Sequence, residues 1–236
     1  QSRYRMKKKA HEALEQLHEK EIEQAKLERE KAEATTNYLQ AENERKSQEL
    51  EAARDLQLSM LPSTIPEIPY ADMSAVMETA VEVGGDYYDF DVSDDGTLTV
   101  VIGDATGHGV KAGTVVTATK SLFNLLAGED NLTDILRLSS EAIKKMKLPK
   151  LYMALALIRL RGQKLQLVGA GMPPALVYRA KSRFVEKIEL KGMPLGSNSG
   201  YPYQLKELVL EKDDVVLLYT DGFPELFNPE GEMLGY

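Results

Sequence analysis

The sequence predicts an α+β fold: a strand-rich domain carrying two adjacent helices, preceded by one long helix. Three observations predict it. Residues 1–61 hold no glycine and no proline, although the chain has 17 glycines and 10 prolines. Beyond them come strand-like runs, then two helical stretches, then strands again, the order of an α+β domain. Aspartate also stands beside glycine three times near the ends of those runs, at Gly84-Gly85-Asp86, Gly103-Asp104 and Asp221-Gly222.

The first stretch is rich in Glu, Lys, Gln, Ala, Leu and Arg, the strong helix formers. A helix over all of it would be roughly 90 Å long. No small domain covers such a helix, so it should pair with another. Ile22/Ala25, Arg29/Ala32, Thr36/Leu39, Asn43/Lys46, Leu50/Ala53 and Gln57/Met60 form one a/d series, in which seven of the twelve positions are apolar. Leu14 and Leu17 fall outside that frame, so the register shifts near residues 17–22. The polar core positions weaken the seam. The expectation is a parallel coiled-coil homodimer through residues 14–60, with a second register within reach. The first eleven residues carry Arg3, Arg5, Lys7, Lys8 and Lys9 and no acid until Glu12. They read either as a solvated helix start or as a segment just inside a membrane. The chain starts mid-helix without an initiator methionine, which reads as a piece of a longer protein with an upstream sensor. The location expected is the cytoplasm, with a tether to the inner face of a membrane before residue 1.

Pro62, Pro66 and Pro69 end the helix and set the boundary between 1–61 and 62–236. Strands are predicted over 70–80, 86–92 and 98–102, the last two joined at Asp95-Gly96. A helix follows over 109–126, with Val110, Val115, Ala118, Leu122 and Leu125 on its apolar positions. Another covers 132–146, with Thr133 as a candidate cap. Strands then fit 152–160 and 164–170 about the Arg161-Gly162 turn, and 175–178, 184–188, 203–210 and 215–219. About 175 residues suffice for one core.

Composition narrows the chemistry. The chain has 236 residues, net charge −8 and no cysteine. It therefore has no disulfide, no thiolate nucleophile and no Cys-ligated zinc. His11, His18 and His108 are the only histidines, too few and too scattered for a histidine-built metal site. There is no run of 18 apolar residues to span a membrane, and no signal peptide. The acidic balance argues against nucleic acid as a partner. Residues 1–61 carry 12 basic and 13 acidic side chains, against 17 and 24 in the remainder. Asp94-Asp95-Gly96 reads as a hairpin tip, but solvated turns do not explain Asp86, Asp89 and Asp104.

Carboxylates at strand ends, on turns too tight for larger residues, can converge on hard cations such as Mg²⁺ or Mn²⁺. A single Asp-Gly pair is ordinarily a turn. Three in one domain point to a metal centre. His108, between two glycines, reads either as a general acid toward a leaving oxygen or as a turn residue at a helix start. The helix N-terminus after Gly109 has free N–H groups suited to a phosphate. Lys111 and Lys120 read as solvated helix lysines. Neither GxxxxGK[ST] nor a strand–GxGxxG–helix unit is present.

Ala53-Arg54-Asp55-Leu56-Gln57 leading to Met60-Leu61-Pro62 is similar to the start of the SpoIIE-type phosphatase domain. These domains are bacterial serine/threonine phosphatases of the metal-dependent, type 2C-like superfamily. Glu82-Val83-Gly84-Gly85-Asp86-Tyr87-Tyr88-Asp89 resembles the family's first motif, and Ile102-Gly103-Asp104-Ala105-Thr106-Gly107-His108-Gly109 its second. Ala170-Gly171-Met172-Pro173-Pro174 and Gly192-Met193-Pro194-Leu195-Gly196 resemble two later loops. Tyr219-Thr220-Asp221-Gly222 followed by Glu225 resembles the third acidic motif. The resemblance runs in the family's order from about Ala53 to the last residue.

The resemblance implies a β-sandwich flanked by helices with a two-metal centre, holding two Mn²⁺ or Mg²⁺ ions. It implies Asp104 as the bridging ligand, the main-chain carbonyl of Ala105 beside it, and Asp86 and Asp221 completing most of the first shell. Water activated between the ions would attack the phosphorus. His108 is a further catalytic candidate. The resemblance implies a phosphorylated protein substrate, often an anti-sigma-factor antagonist in this family, and control through the coiled-coil linker. Two departures stand out. The family often has histidine where Met172 stands, and the sequence stops before the family's last acidic pair, so the domain is expected to be C-terminally incomplete and this fragment inactive. The alternative expectation is a non-catalytic dimeric signalling scaffold with an inactive phosphatase-like domain.

Overall fold

The computed structural model describes residues 2–78, 83–198 and 200–235, with residues 2–10, 12 and 13 described by their backbone alone. Two compact units divide the chain, Gln1–Glu49 and Leu50–Tyr236. Helix α1 (Ser2–Ser59) forms the first unit and runs on into the second. It is uninterrupted because nothing in its sequence breaks it. Its polar side chains pair along the surface, as in Arg29–Glu33 and Glu42–Lys46, both at 2.8 Å. Exposed pairs of this kind add little stability. Leu14, Ile22 and Leu39 stay exposed, at 66%, 57% and 57%. Among the described residues no helix is long and apolar enough to cross a membrane.

After Pro62 the chain is extended. The strand expected over 70–80 does not form across 72–78; only Ile68 and Ala71 make an isolated bridge, and residues 79 and 80 lie outside the described residues. The period-two pattern there is real, because exposure alternates residue by residue from Ala71 to Glu78. Ala71 and Met73 pack on the core without a hydrogen-bonded partner strand. Alternation records a half-buried face, not a ladder. Tyr70 fastens this segment by donating its hydroxyl to the carbonyls of Gly96 and Leu160.

Among its described residues the second unit has eight strands: β1 (Asp86–Val92), β2 (Leu98–Ala105), β3 (Met153–Arg161), β4 (Lys164–Ala170), β5 (Ala175–Arg179), β6 (Phe184–Ile188), β7 (Lys206–Val209) and β8 (Val215–Leu217). Between β2 and β3 lie α2 (Val110–Leu126) and α3 (Leu132–Lys145). The strands form two antiparallel sheets, β1-β2-β3-β4-β7 and β6-β5-β8. The last two strands are shorter than the sequence predicts. The helices match the expected spans except at the second cap, where Asn131, not Thr133, caps α3: its side chain accepts the Thr133 N–H at 3.0 Å.

Two cores make three layers. Val101, Leu155, Leu157 and Val168 point from the five-stranded sheet toward Val115, Phe123, Leu136 and Ile143 of α2 and α3. Leu98, Ala156, Leu165 and Leu167 point the other way, toward Ala175, Leu190 and Val216 around the smaller sheet. The central strands β3 and β4 thus bury both faces, which explains their near-continuous apolar runs. The result is a β-sandwich backed by helices.

Candidate metal centre

Asp86 opens β1 and lies directly opposite Asp104 of β2 in the antiparallel register. Tyr87 and Ala105 bury their side chains in the helix-side core. Strand alternation therefore turns the neighbouring Asp86 and Asp104 to the other face, at the rim of the sandwich. Asp221 reaches the same rim from the turn after β8, in the other sheet. Its neighbour Thr220 brings a hydroxyl close enough to the Asp86 carboxylate to favour its charged form.

Glycine makes room at this point. A Cβ on Gly85 would stand 2.6 Å from the Ala105 carbonyl oxygen and 2.8 Å from Asp104 Oδ1. These two oxygens face the same small space, which any side chain at 85 would fill. The Ala105 N–H donates to Gly85 O at 2.9 Å, and Gly109 N–H to Val83 O at 3.0 Å, so both sides of the turn are fixed. Gly107 and Gly109 adopt φ of 83° and 76°, the left-handed region where a side chain is strained.

Electrostatics ties the carboxylates together. Burial, followed by the charges of Asp221, Asp86 and Glu225, pushes the Asp104 carboxyl up to about 7. Burial also raises Asp86; the Thr220 hydroxyl opposes this, and the Asp221 charge adds to it. Like charges crowded in a partly dry site are what a cation neutralises. Among the described residues, no three His, Cys, Asp or Glu side chains stand together as a closed ligand set. The carboxylates sense one another without converging on one point. The donors are all oxygens, and with the space over Gly85 they fit a hard cation.

A cavity of about 330 Å³ opens here, lined by Asp104, Asp221, Ala154, Gly171, Met172, Pro173 and Pro174. It has an acidic side and an apolar side. The loop at 171–174 is held from behind by the loop at 192–196. A Cβ on Gly171 would meet Pro194 Cγ at 2.8 Å, and one on Gly192 would meet Gly169 O at 2.1 Å. Leu195 bridges to Met153 by paired backbone hydrogen bonds of 2.8 and 3.2 Å.

The structure thus brings Asp86, Asp104, Ala105 and Asp221 to one rim. His108 is exposed on its turn and does not line the cavity. Glu225 and Thr220 join the site electrostatically; their signal was their place beside Asp221. Glu82 of the first motif lies outside the described residues. Gln57 carried no chemical signal, yet it is 4% exposed, donating to Gly84 O at 2.8 Å and accepting from Gly84 N–H at 3.0 Å. One amide thereby holds the end of α1 to a backbone two residues before Asp86. Lys120, expected in solvent, is instead paired with Asp89 at 2.6 Å.

A helix-backed antiparallel sandwich with acidic residues at its rim is the fold of the type 2C-like serine/threonine phosphatase domains. The family model described as "Stage II sporulation protein E (SpoIIE)" matches residues 94–236, and the chain belongs to this family. The phosphoserine phosphatase RsbU of Bacillus subtilis (strain 168) is 26% identical over 186 residues, which are 78% of this chain and 55% of RsbU. The chain thus spans about half the length of that relative. The SiaA-PP2C domain of Pseudomonas aeruginosa superposes with a TM-score of 0.66 at 19% identity, covering 82% of this chain and 79% of that one. The RsbU and RsbW domains of Rv1364c from Mycobacterium tuberculosis give 0.54 at 30% identity, covering 64% and 42%. RsbX in complex with magnesium gives 0.51 at 18% identity, covering 60% and 68%.

Proposed function

We propose that the protein hydrolyses phosphoserine or phosphothreonine on a partner signalling protein, as a metal-dependent phosphatase controlled through α1. The observation that carries this is the opposition of Asp86 and Asp104 across β1 and β2, with Asp221 brought to the same rim. Asp104, the Ala105 carbonyl, Asp86 and Asp221 would hold two hard cations, Mn²⁺ or Mg²⁺. Such ions, when bound, supply an acidified water and neutralise phosphoryl oxygens. The magnesium complex of RsbX supports that class of ion. The chain's own residues do the rest. Asp104 would be the carboxylate that holds the cations most centrally, since its charge is coupled to those of Asp86, Asp221 and Glu225. The wall of Met172, Pro173 and Pro174 borders the acidic side of the cavity, limits water and orients the phosphorylated residue. His108, exposed on the turn after Ala105, is the candidate general acid toward the leaving oxygen in this reading, the other role open to it being a turn residue at the start of α2.

The phosphoserine phosphatase activity named for RsbU, and the RsbU and RsbW domains joined in one mycobacterial chain, support a protein substrate of the partner-switching kind, such as an anti-sigma-factor antagonist. A parallel dimer through residues 14–60, an upstream sensor and a cytoplasmic location, with or without a membrane tether, belong to the same proposal. The hydrogen bonds from Gln57 to Gly84 supply the route by which α1 acts on the Asp86 strand. The second reading is a non-catalytic dimeric signalling scaffold with an inactive phosphatase-like domain.

The two readings part on one assay. The whole protein is expected to hydrolyse p-nitrophenyl phosphate with Mn²⁺ and not without it, and Asp104→Asn to lose that turnover while keeping its fold. Absent turnover would favour the scaffold, and metal-independent turnover would overturn the metal reading.

A further inference from the structure

Asp89 is a buried acidic residue, 6% exposed on the helix-facing side of β1. Its Oδ2 accepts Lys120 Nζ at 2.6 Å and the Tyr87 hydroxyl at 3.0 Å; its Oδ1 accepts the Phe90 N–H at 2.9 Å. The Lys120 side chain is 23% exposed. Burial and the Asp89 charge raise the Tyr87 hydroxyl, so it remains a donor. The surroundings are apolar: Tyr87 packs with Val101, Ala112, Val115, Val116 and Phe123.

Stability does not account for this arrangement. A buried ion pair loses much of its Coulombic gain to desolvation, and apolar residues of the same volume often serve as well. What an apolar contact does not provide is position. A helix can slide on an apolar sheet face at small cost, whereas a short charge-assisted bond fixes one point. Asp89 lies three residues along β1 from Asp86, roughly 10 Å. Lys120 lies on α2, the helix that starts just after Asp104 and Ala105. At the other end of this contact, Gly109 N–H is bound to Val83 O. Two points thus hold α2 to the strand that presents Asp86, and α2 follows the strand that presents Asp104.

The geometry points to Asp89 and Lys120 as positioning residues of the metal centre. From the opposite face of the sheet, they set where Asp86 stands relative to Asp104 and so tune cation affinity. The inference rests on the reading that these two aspartates hold the cation. It separates position from stability in a way that can be measured.

The test compares the parent chain, Asp104→Asn, and the paired replacement Asp89→Leu with Lys120→Met. The thermal midpoint is read without metal, and Mn²⁺ affinity by calorimetry. The paired replacement is expected to keep a midpoint near the parent's while binding Mn²⁺ at least tenfold more weakly. Parent-like Mn²⁺ affinity in it would overturn the inference alone. A parent that binds no Mn²⁺, or Asp104→Asn that binds as the parent does, would overturn the metal reading and this inference with it. If the paired replacement does not fold, the nearly isosteric Asp89→Asn is used. It retains the Tyr87 contact, and parent-like Mn²⁺ affinity in it overturns the inference equally.

Discussion

Asp104 bears the largest electrostatic strain at the rim, because it is partly buried and faces three other carboxylates. Its carboxyl, ordinarily near 3.8, is held up to about 7 in the folded chain. Between those values the folded state keeps a proton that the unfolded state has lost. Folding stability from this group is therefore full below about pH 4 and falls as pH rises through 7. The metal-free chain should melt several degrees lower at pH 8 than its other groups alone would dictate, an effect kept small by solvent screening. Asp104→Asn should flatten that dependence between pH 5 and 8, seen by calorimetric melting in chelator. An unchanged slope in Asp104→Asn would refute the assignment of the strain to this residue. The three aspartates were legible in the sequence because glycine sits beside each at the end of an apolar run. Thr220 and Glu225 were visible only as motif neighbours, since nothing in their type foretells that β8 carries them to the β1–β2 rim. Asp89 was legible as unexplained by turns. Its partner was not, because Lys120 looks like any helix lysine until α2 is laid on β1.

At the scale of elements, α1 is the clearest case of sequence dictating structure: no glycine, no proline and a helix from Ser2 to Ser59. Its end is less ordinary. Gln57 occupies a formal seam position, yet its amide is spent on Gly84. Rotation of α1 would therefore pull on the backbone leading into Asp86. One residue inserted near Asn43 turns everything downstream by about 100°, whereas seven restore the phase. In the whole protein, Mn²⁺-dependent turnover should change severalfold with the single insertion and stay near the parent value with seven. Equal turnover in all three would leave α1 as a tether. The segment at 72–78 shows the limit of pattern reading. Its alternation is as regular as a strand's, but a ladder needs a free neighbouring edge, and periodicity does not report one. The loops at 171–174 and 192–196 were legible as motifs, yet their mutual contact, too close for any Cβ at Gly171, depends on β3 and β4 placing them side by side.

For the whole molecule, the exposed apolar positions of α1 are the feature a single chain leaves unsatisfied. Leu39 is 57% exposed, with Ile22 on the same seam equally open. Pairing of two chains through residues 14–60 would cover them. Light scattering at micromolar concentration should give the mass of a dimer, and Leu39→Glu with Leu50→Glu that of a monomer, because like charges then meet across the seam. A monomer for the parent chain would count against the paired helix. The layer order of the second unit followed from the strand–helix–strand sequence. The split into two sheets came only from the family resemblance, because short strands such as β6 and β8 do not show in sequence which neighbours they pair with.

The acidic rim draws its members from both sheets: Asp86 and Asp104 from the larger, Asp221 from the turn that leaves the smaller. A cation gripped by all three would be a clasp across the open end of the sandwich. Anything that binds the folded chain and not the unfolded one stabilises it by mass action. Here that gain would fall on the seam between the layers, where no strand pairing joins them. The ion that serves the chemistry would then also be what keeps the two sheets shut at that end.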